Sequence, residues 1–151
     1  MAEAQAEPKL LIAALKPFYD AMLPVSWLIV RVAIGWNLLV HGYNKIMIGP
    51  TEAFLKGFAD LGFIPPAFFY WSSFLIEMLG GICIIFGLFT RFFAAAAAIE
   101  MLCIFVVYWN NGFGWMKRGY EYVLLWGLVC FAIALRGGGP YSFDRKLGKE
   151  L

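Results

Sequence analysis

Four ionisable side chains sit inside stretches that otherwise read as membrane-spanning helices. They are Arg31 in VSWLIVRVAIGWNLLVH, Glu77 in FFYWSSFLIEMLGGICIIFGLF, Glu100 in FFAAAAAIEMLCIFVVYW and Glu121 at the head of YEYVLLWGLVCFAIAL. A charge at mid-bilayer costs roughly 2.5–3.5 kcal/mol even on the lenient insertion scale, so such residues pair, move protons or hold a ligand. His41 and Lys45 add an imidazole and an ammonium near the end of the first stretch. Arg31, His41 or Lys45 can hydrogen-bond a carbonyl or an oxyanion, and Glu77, Glu100 or Glu121 can relay protons.

The elements that must hold these groups follow from composition. The 151 residues are 62% hydrophobic and only 15% charged, against about 45–50% and 25% in an ordinary soluble domain. One core of this size cannot hide so much apolar surface, so lipid is the expected solvent. Four segments, near 25–43, 67–89, 92–109 and 120–135, are long enough to span the hydrocarbon layer. Tyr and Trp gather at their ends, as in an interfacial belt. The predicted fold class is all-α: a polytopic membrane protein with a four-transmembrane-helix antiparallel bundle and an N-terminal interfacial helix. Residues 1–24 form the interfacial segment, with LLIAAL as a short amphipathic helix and Pro17 and Pro24 turning the chain inward. Residues 25–136 form the bundle and 137–151 a short tail. TEAFLKGFADLGF reads as an interfacial helix capped by Thr51, and Thr90-Arg91 as a tight turn between the second and third spans.

Four spans place both termini on one side. That side carries Lys9, Lys16, Arg91, Arg136, Arg145, Lys146 and Lys149, and the other Lys45, Lys56, Lys117 and Arg118. The excess of basic residues favours cytoplasmic termini. A bacterial cytoplasmic membrane is the expected location. The net charge of +2, with no basic stripe interleaved with aromatics, argues against a nucleic-acid partner.

Helical spacing aligns Arg31, Ile34, Leu38, His41 and Lys45 on one seam of the first span. Glu77, Gly81, Ile84, Leu88 and Arg91 align on the second, and Ala96, Glu100, Cys103 and Val107 on the third. Two clusters are therefore expected: Arg31 with Glu77 or Glu100 in mid-membrane, and His41, Lys45 and Glu121 near the outer surface. One arginine does not neutralise two glutamates, so one of Glu77 and Glu100 is expected to carry a proton. The same pairs can equally serve only to fix helix register. Gly80, Gly81 and Gly87 read as sites of close helix contact, and Cys83, Cys103 and Cys130 as small buried hydrophobes. No metal site is expected, because one histidine and scattered glutamates lack ligand spacing.

These residues resemble the DoxX family of small membrane proteins. The resemblance rests on RVAIGW and HGYNK in 31–45, FLIEMLGG and GLFTR in 74–91, GYEY at 119–122 and GGGPYSFD at 137–144. It implies a compact four-helix integral membrane fold and a place in membrane redox systems. One branch forms the small membrane subunit of a thiosulfate:quinone oxidoreductase. The resemblance carries over Arg31, His41, Lys45, Glu77 and Glu121, whereas Glu100 lies outside the matching pieces.

The leading functional expectation is a subunit of a redox-linked complex that binds a quinone or a small oxyanion. The cofactor is not specified by the residues, and a quinone supplied from the membrane is one candidate. The side chains do not themselves carry electrons, so a redox partner is required. The expected partners are the bilayer and either another protein or further copies of this chain. The alternatives are a proton-coupled transporter or channel-like oligomer, and a scaffold or assembly factor whose polar clusters are purely structural.

Overall fold

A computed structural model describes residues 8–150. Among these, every regular element is helical: α1 (Lys16–Ile48), α2 (Glu52–Asp60), α3 (Pro66–Phe86), α4 (Thr90–Tyr108), α5 (Glu121–Arg136) and α6 (Phe143–Leu147). Three stretches, Ala13–Ile48, Pro66–Phe86 and Thr90–Asn111, are long and apolar enough to cross a membrane. Helix α5 has 16 residues and extends roughly 24 Å at the usual rise, short of a 30 Å hydrocarbon core. Ile29, Trp36, Leu75, Leu79, Ile99, Leu102, Leu125 and Leu128 all point outward and are exposed. Lipid tolerates such side chains, while the helices satisfy their own backbone groups.

The N-terminal region departs from the expected separate helix. Residues 8–12 lie outside any helix, a 3₁₀ turn at Ala13–Leu15 leads straight into α1, and Pro24 lies inside that helix. Pro17 falls in the first turn, where its missing N–H costs nothing. Pro24 leaves the Asp20 carbonyl unpaired, but residues 8–23 are exposed throughout, so solvent or headgroups can satisfy it. Residues 1–7 of the expected interfacial segment lie outside the described residues.

Glycines set the register between α1 and α3. A Cβ on Gly42 would lie 2.7 Å from Met78 N, one on Gly35 2.8 Å from Gly81 O, and one on Gly81 2.7 Å from Leu39 N. The two backbones therefore touch, as small residues permit in membrane helices. Ile34, Leu38, Ile84, Ala94, Ala97, Met101, Cys130 and Ile133 form one core shared by α1, α3, α4 and α5. The expected α3–α4 hairpin is present, with its turn at residues 87–89. Gly87 adopts φ +70° there, and Arg31 Nη1 and Ser142 occupy the space where a Cβ would stand, so any side chain would be both strained and crowded. Thr51 caps α2 as expected, its hydroxyl accepting from Phe54 N at 3.4 Å.

The buried stripe of α4 is Thr90, Ala94, Ala97 and Met101, rotated from the expected Ala96–Glu100–Cys103–Val107 face. The alanine run offers no preferred side, and packing between α3 and α5 selects one. Cys103 is consequently exposed and Cys83 only half-buried, whereas Cys130 is buried as expected.

Candidate functional site

Lys45 is the centre of the buried polar group. The α1–α3 register brings its ammonium 2.5 Å from Glu77 Oε2 and 4.0 Å from Glu100 Oε1. Lys45 Nζ also donates to Ser73 Oγ at 2.6 Å, and the Ser73 hydroxyl donates to Glu100 Oε1. Tyr70 O–H donates to the Lys45 carbonyl at 2.6 Å, which anchors the last turn of α1. Three helices thus converge on one ammonium and two carboxylates. The side chains of Lys45, Glu77 and Glu100 are 18%, 5% and 9% exposed. Glu100 Oε2 is buried without a hydrogen-bond partner among the described residues.

This overturns the expected pairing of Arg31 with Glu77 or Glu100. Arg31 is fully buried, but at the end of the bundle where α3 stops. Its Nη1 donates to the Gly138 carbonyl, and its Nη2 donates to the carbonyls of Tyr141 at 3.0 Å and Ile85 at 3.3 Å. The register explains the shift, because Gly35 against Gly81 and Ile85 sets Arg31 beside the α3–α4 turn. The last carbonyls of a helix lack intrahelical donors, and a guanidinium fork matches several acceptors at once.

Glu121 likewise does not join His41 and Lys45. Its carboxylate accepts from Trp115 N at 3.2 Å, tying the 110–119 loop to the start of α5. His41 is exposed, with its ring edge-on to Trp126 of α5 at 5.1 Å. Of the six expected residues, the structure gathers Lys45, Glu77 and Glu100, and sets His41, Arg31 and Glu121 apart. It adds Ser73, which the spacing could have revealed: Tyr70, Ser73 and Glu77 recur at three and four residues on one face of α3.

A second polar group, which the sequence reading treated only as motif, closes the opposite end. Asp144 is buried, and its carboxylate accepts from Phe89 N at 2.8 Å, Thr90 N at 2.9 Å and Thr90 Oγ1 at 2.6 Å. It therefore caps the N-terminus of α4, where negative charge is favoured. Arg91 caps the end of α5 by donating to the carbonyls of Ala134, Leu135 and Arg136, and it pairs with Glu150 at 2.9 Å. Trp27 Nε1 donates to Gly137 O at 3.0 Å. Every polar contact in this group serves a helix end or the returning chain, which marks it as structural. Among the described residues, no three of His, Cys, Asp and Glu converge as metal ligands.

Comparison with known proteins matches the DoxX family over residues 26–109, more than half of the chain. A Bacillus subtilis (strain 168) protein named "Putative oxidoreductase CatD" is 26% identical over 120 residues, covering 80% of this chain and 85% of its own. A Haemophilus influenzae protein whose name states no activity is 27% identical over 139 residues, covering 89% of this chain and 95% of its own. No solved structure matches significantly.

Proposed function

This chain belongs to the DoxX family, and from that premise we propose that it is the small membrane subunit of a redox-linked complex, with Lys45, Ser73, Glu77 and Glu100 as its working site. The observation that carries the reading is one ammonium held between two buried carboxylates. Three such groups reach charge balance only by holding one further proton or one further cation. Reduction of a quinone or an oxyanion consumes protons together with electrons. A proton-bearing Glu77–Glu100 pair beside a Lys45 donor meets both needs: Lys45 hydrogen-bonds the oxygen that gains charge, and a glutamate delivers the proton. Electrons come from a redox partner. The relative named as an oxidoreductase supports the same direction.

In this reading α1, α3 and α4 cross the membrane and the shorter α5 completes the antiparallel bundle with the bilayer thinned around it, with both termini cytoplasmic in a bacterial inner membrane. Glu121, His41 and Arg31 then play packing roles away from the site rather than contacting ligand.

The test is binding of a short-chain quinone to the purified full-length protein, followed by quenching of tryptophan fluorescence. Glu100→Gln is expected to leave the Lys45–Glu77 pair and the fold intact while weakening binding about tenfold, the scale of one lost charge-assisted hydrogen bond. Unchanged binding in both Glu100→Gln and the charge-balanced Lys45→Met/Glu77→Gln variant would sink the proposal. The same proton-holding cluster also fits proton-coupled transport. Proton flux in proteoliposomes without any redox donor, lost in Glu100→Gln, would favour that second reading.

A further inference from the structure

At the end of the bundle where α5 stops, a cavity of about 320 Å³ opens between the end of α5 and the returning C-terminal chain. Its walls carry Arg136, Arg145 and Lys149, together with Asp144 and Glu150. The two acids are already engaged: Asp144 accepts from the start of α4, and Glu150 pairs with Arg91 and accepts from Gly138 N at 3.0 Å. The Arg136 guanidinium carbon lies 4.4 Å from the centre of the Trp27 ring, a cation–π contact that fixes the plane of the group and leaves its N–H donors without a carboxylate. Among the described residues, Arg136, Arg145 and Lys149 have no carboxylate within ion-pair distance. Three cations thus line one concavity whose acids are occupied elsewhere.

We infer that this cavity binds a phosphate group. Guanidinium forks match phosphate oxygens in pairs, and a lysine adds a point charge. The location favours an anionic phospholipid as the source. Arg136 ends α5 at the level where headgroups lie, and basic pockets at helix ends hold acidic headgroups. Phe143 and Leu147, exposed on α6 beside the cavity, offer apolar surface to an acyl chain. The site is separate from the Lys45–Glu77–Glu100 group and does not depend on the redox reading.

The test is native mass spectrometry of the delipidated full-length protein in neutral detergent. It would be titrated with phosphatidylglycerol, with phosphatidylcholine, whose own ammonium neutralises its phosphate, and with inorganic phosphate. Phosphatidylglycerol is expected to bind about 30- to 150-fold more tightly than phosphatidylcholine, the scale for two or three basic groups at an anionic headgroup. Arg145→Gln/Lys149→Gln, both exposed and free of structural contacts to the bundle, should abolish that preference. Adding Arg136→Gln should not restore it. Lys117→Gln/Arg118→Gln, at the other end of the molecule, should leave the preference unchanged. Inorganic phosphate that displaces phosphatidylglycerol at millimolar concentration would assign the site to a soluble phosphate, and failure to displace it assigns the site to lipid. Equal binding of both lipids without phosphate binding, or equal loss in the Lys117/Arg118 variant, would overturn the inference.

Discussion

Lys45 holds two carboxylates together, so its removal has a predictable cost. Lys45→Met leaves Glu77 and Glu100 facing each other with no cation, and breaking a buried ion pair costs about 3–5 kcal/mol. Thermal unfolding in detergent should show that loss, and the double variant Lys45→Met/Glu77→Gln should recover most of it. A single variant as stable as the parent would mean that the pair is not buried in the membrane state. Arg31 poses a different test, because it serves three carbonyls from one planar group. Arg31→Lys keeps the charge but loses the fork, and is expected to cost about 2 kcal/mol, near the scale of one hydrogen bond to a charged group. Full stability in that variant would show that charge alone suffices. That Arg31, Glu77 and Glu100 must be buried was legible from their apolar surroundings, whereas Lys45 was expected near the outer surface. Which acid met which base was not, because helical spacing gives a facing direction but no axial offset between helices.

That offset is set by elements, through the glycines of α1 and α3. Gly42 has Met78 backbone atoms within 3 Å of where its Cβ would stand. Gly42→Ala must therefore push α1 away from α3, and overpacking of this kind costs about 1–3 kcal/mol. The same shift should pull Lys45 off Glu77, so under the proposed function quinone affinity should fall together with stability. Gly57 in α2 is the contrast: its Cβ would meet nothing within 4 Å. Gly57→Ala should leave stability unchanged or raise it by up to about 1 kcal/mol through helix propensity. Equal effects at both sites, measured by unfolding in detergent, would remove the argument from backbone contact. Sequence spacing marked Gly81 as a contact site, yet it misjudged α4, whose alanine-rich face carries no directional signal.

At the scale of the whole molecule, the chain after α5 acts as a closing piece for the bundle. Gly137, Gly138 and Tyr141 present carbonyls to Trp27 and Arg31, while Asp144 caps α4 and Glu150 holds Arg91. Truncation after Arg136 would leave a buried guanidinium, a helix start and Arg91 without these partners. The truncated protein should unfold at a lower temperature than Asp144→Ala, which loses only a cap worth about 0.5–2 kcal/mol. If truncation and Asp144→Ala are equally mild, the C-terminal segment is an appendage and not part of the fold. The motif GGGPYSFD marked this segment as family-typical, but no local pattern showed that it folds back across the α3–α4 turn.

By itself the sequence determined the solvent, the helical class, the hairpin of α3 and α4, the cap of α2 and the need to shelter Arg31, Glu77 and Glu100. Composition and local spacing carry that information, because hydrophobic burial and capping act over a few residues. Only the tertiary structure decided that Lys45, and not Arg31, meets Glu77 and Glu100, and that Arg31 and Asp144 close the opposite end. Those outcomes depend on the axial register of α1 against α3, fixed where Gly35, Gly42 and Gly81 let two backbones touch. Contacts between helices far apart in the chain leave no periodic trace in either one.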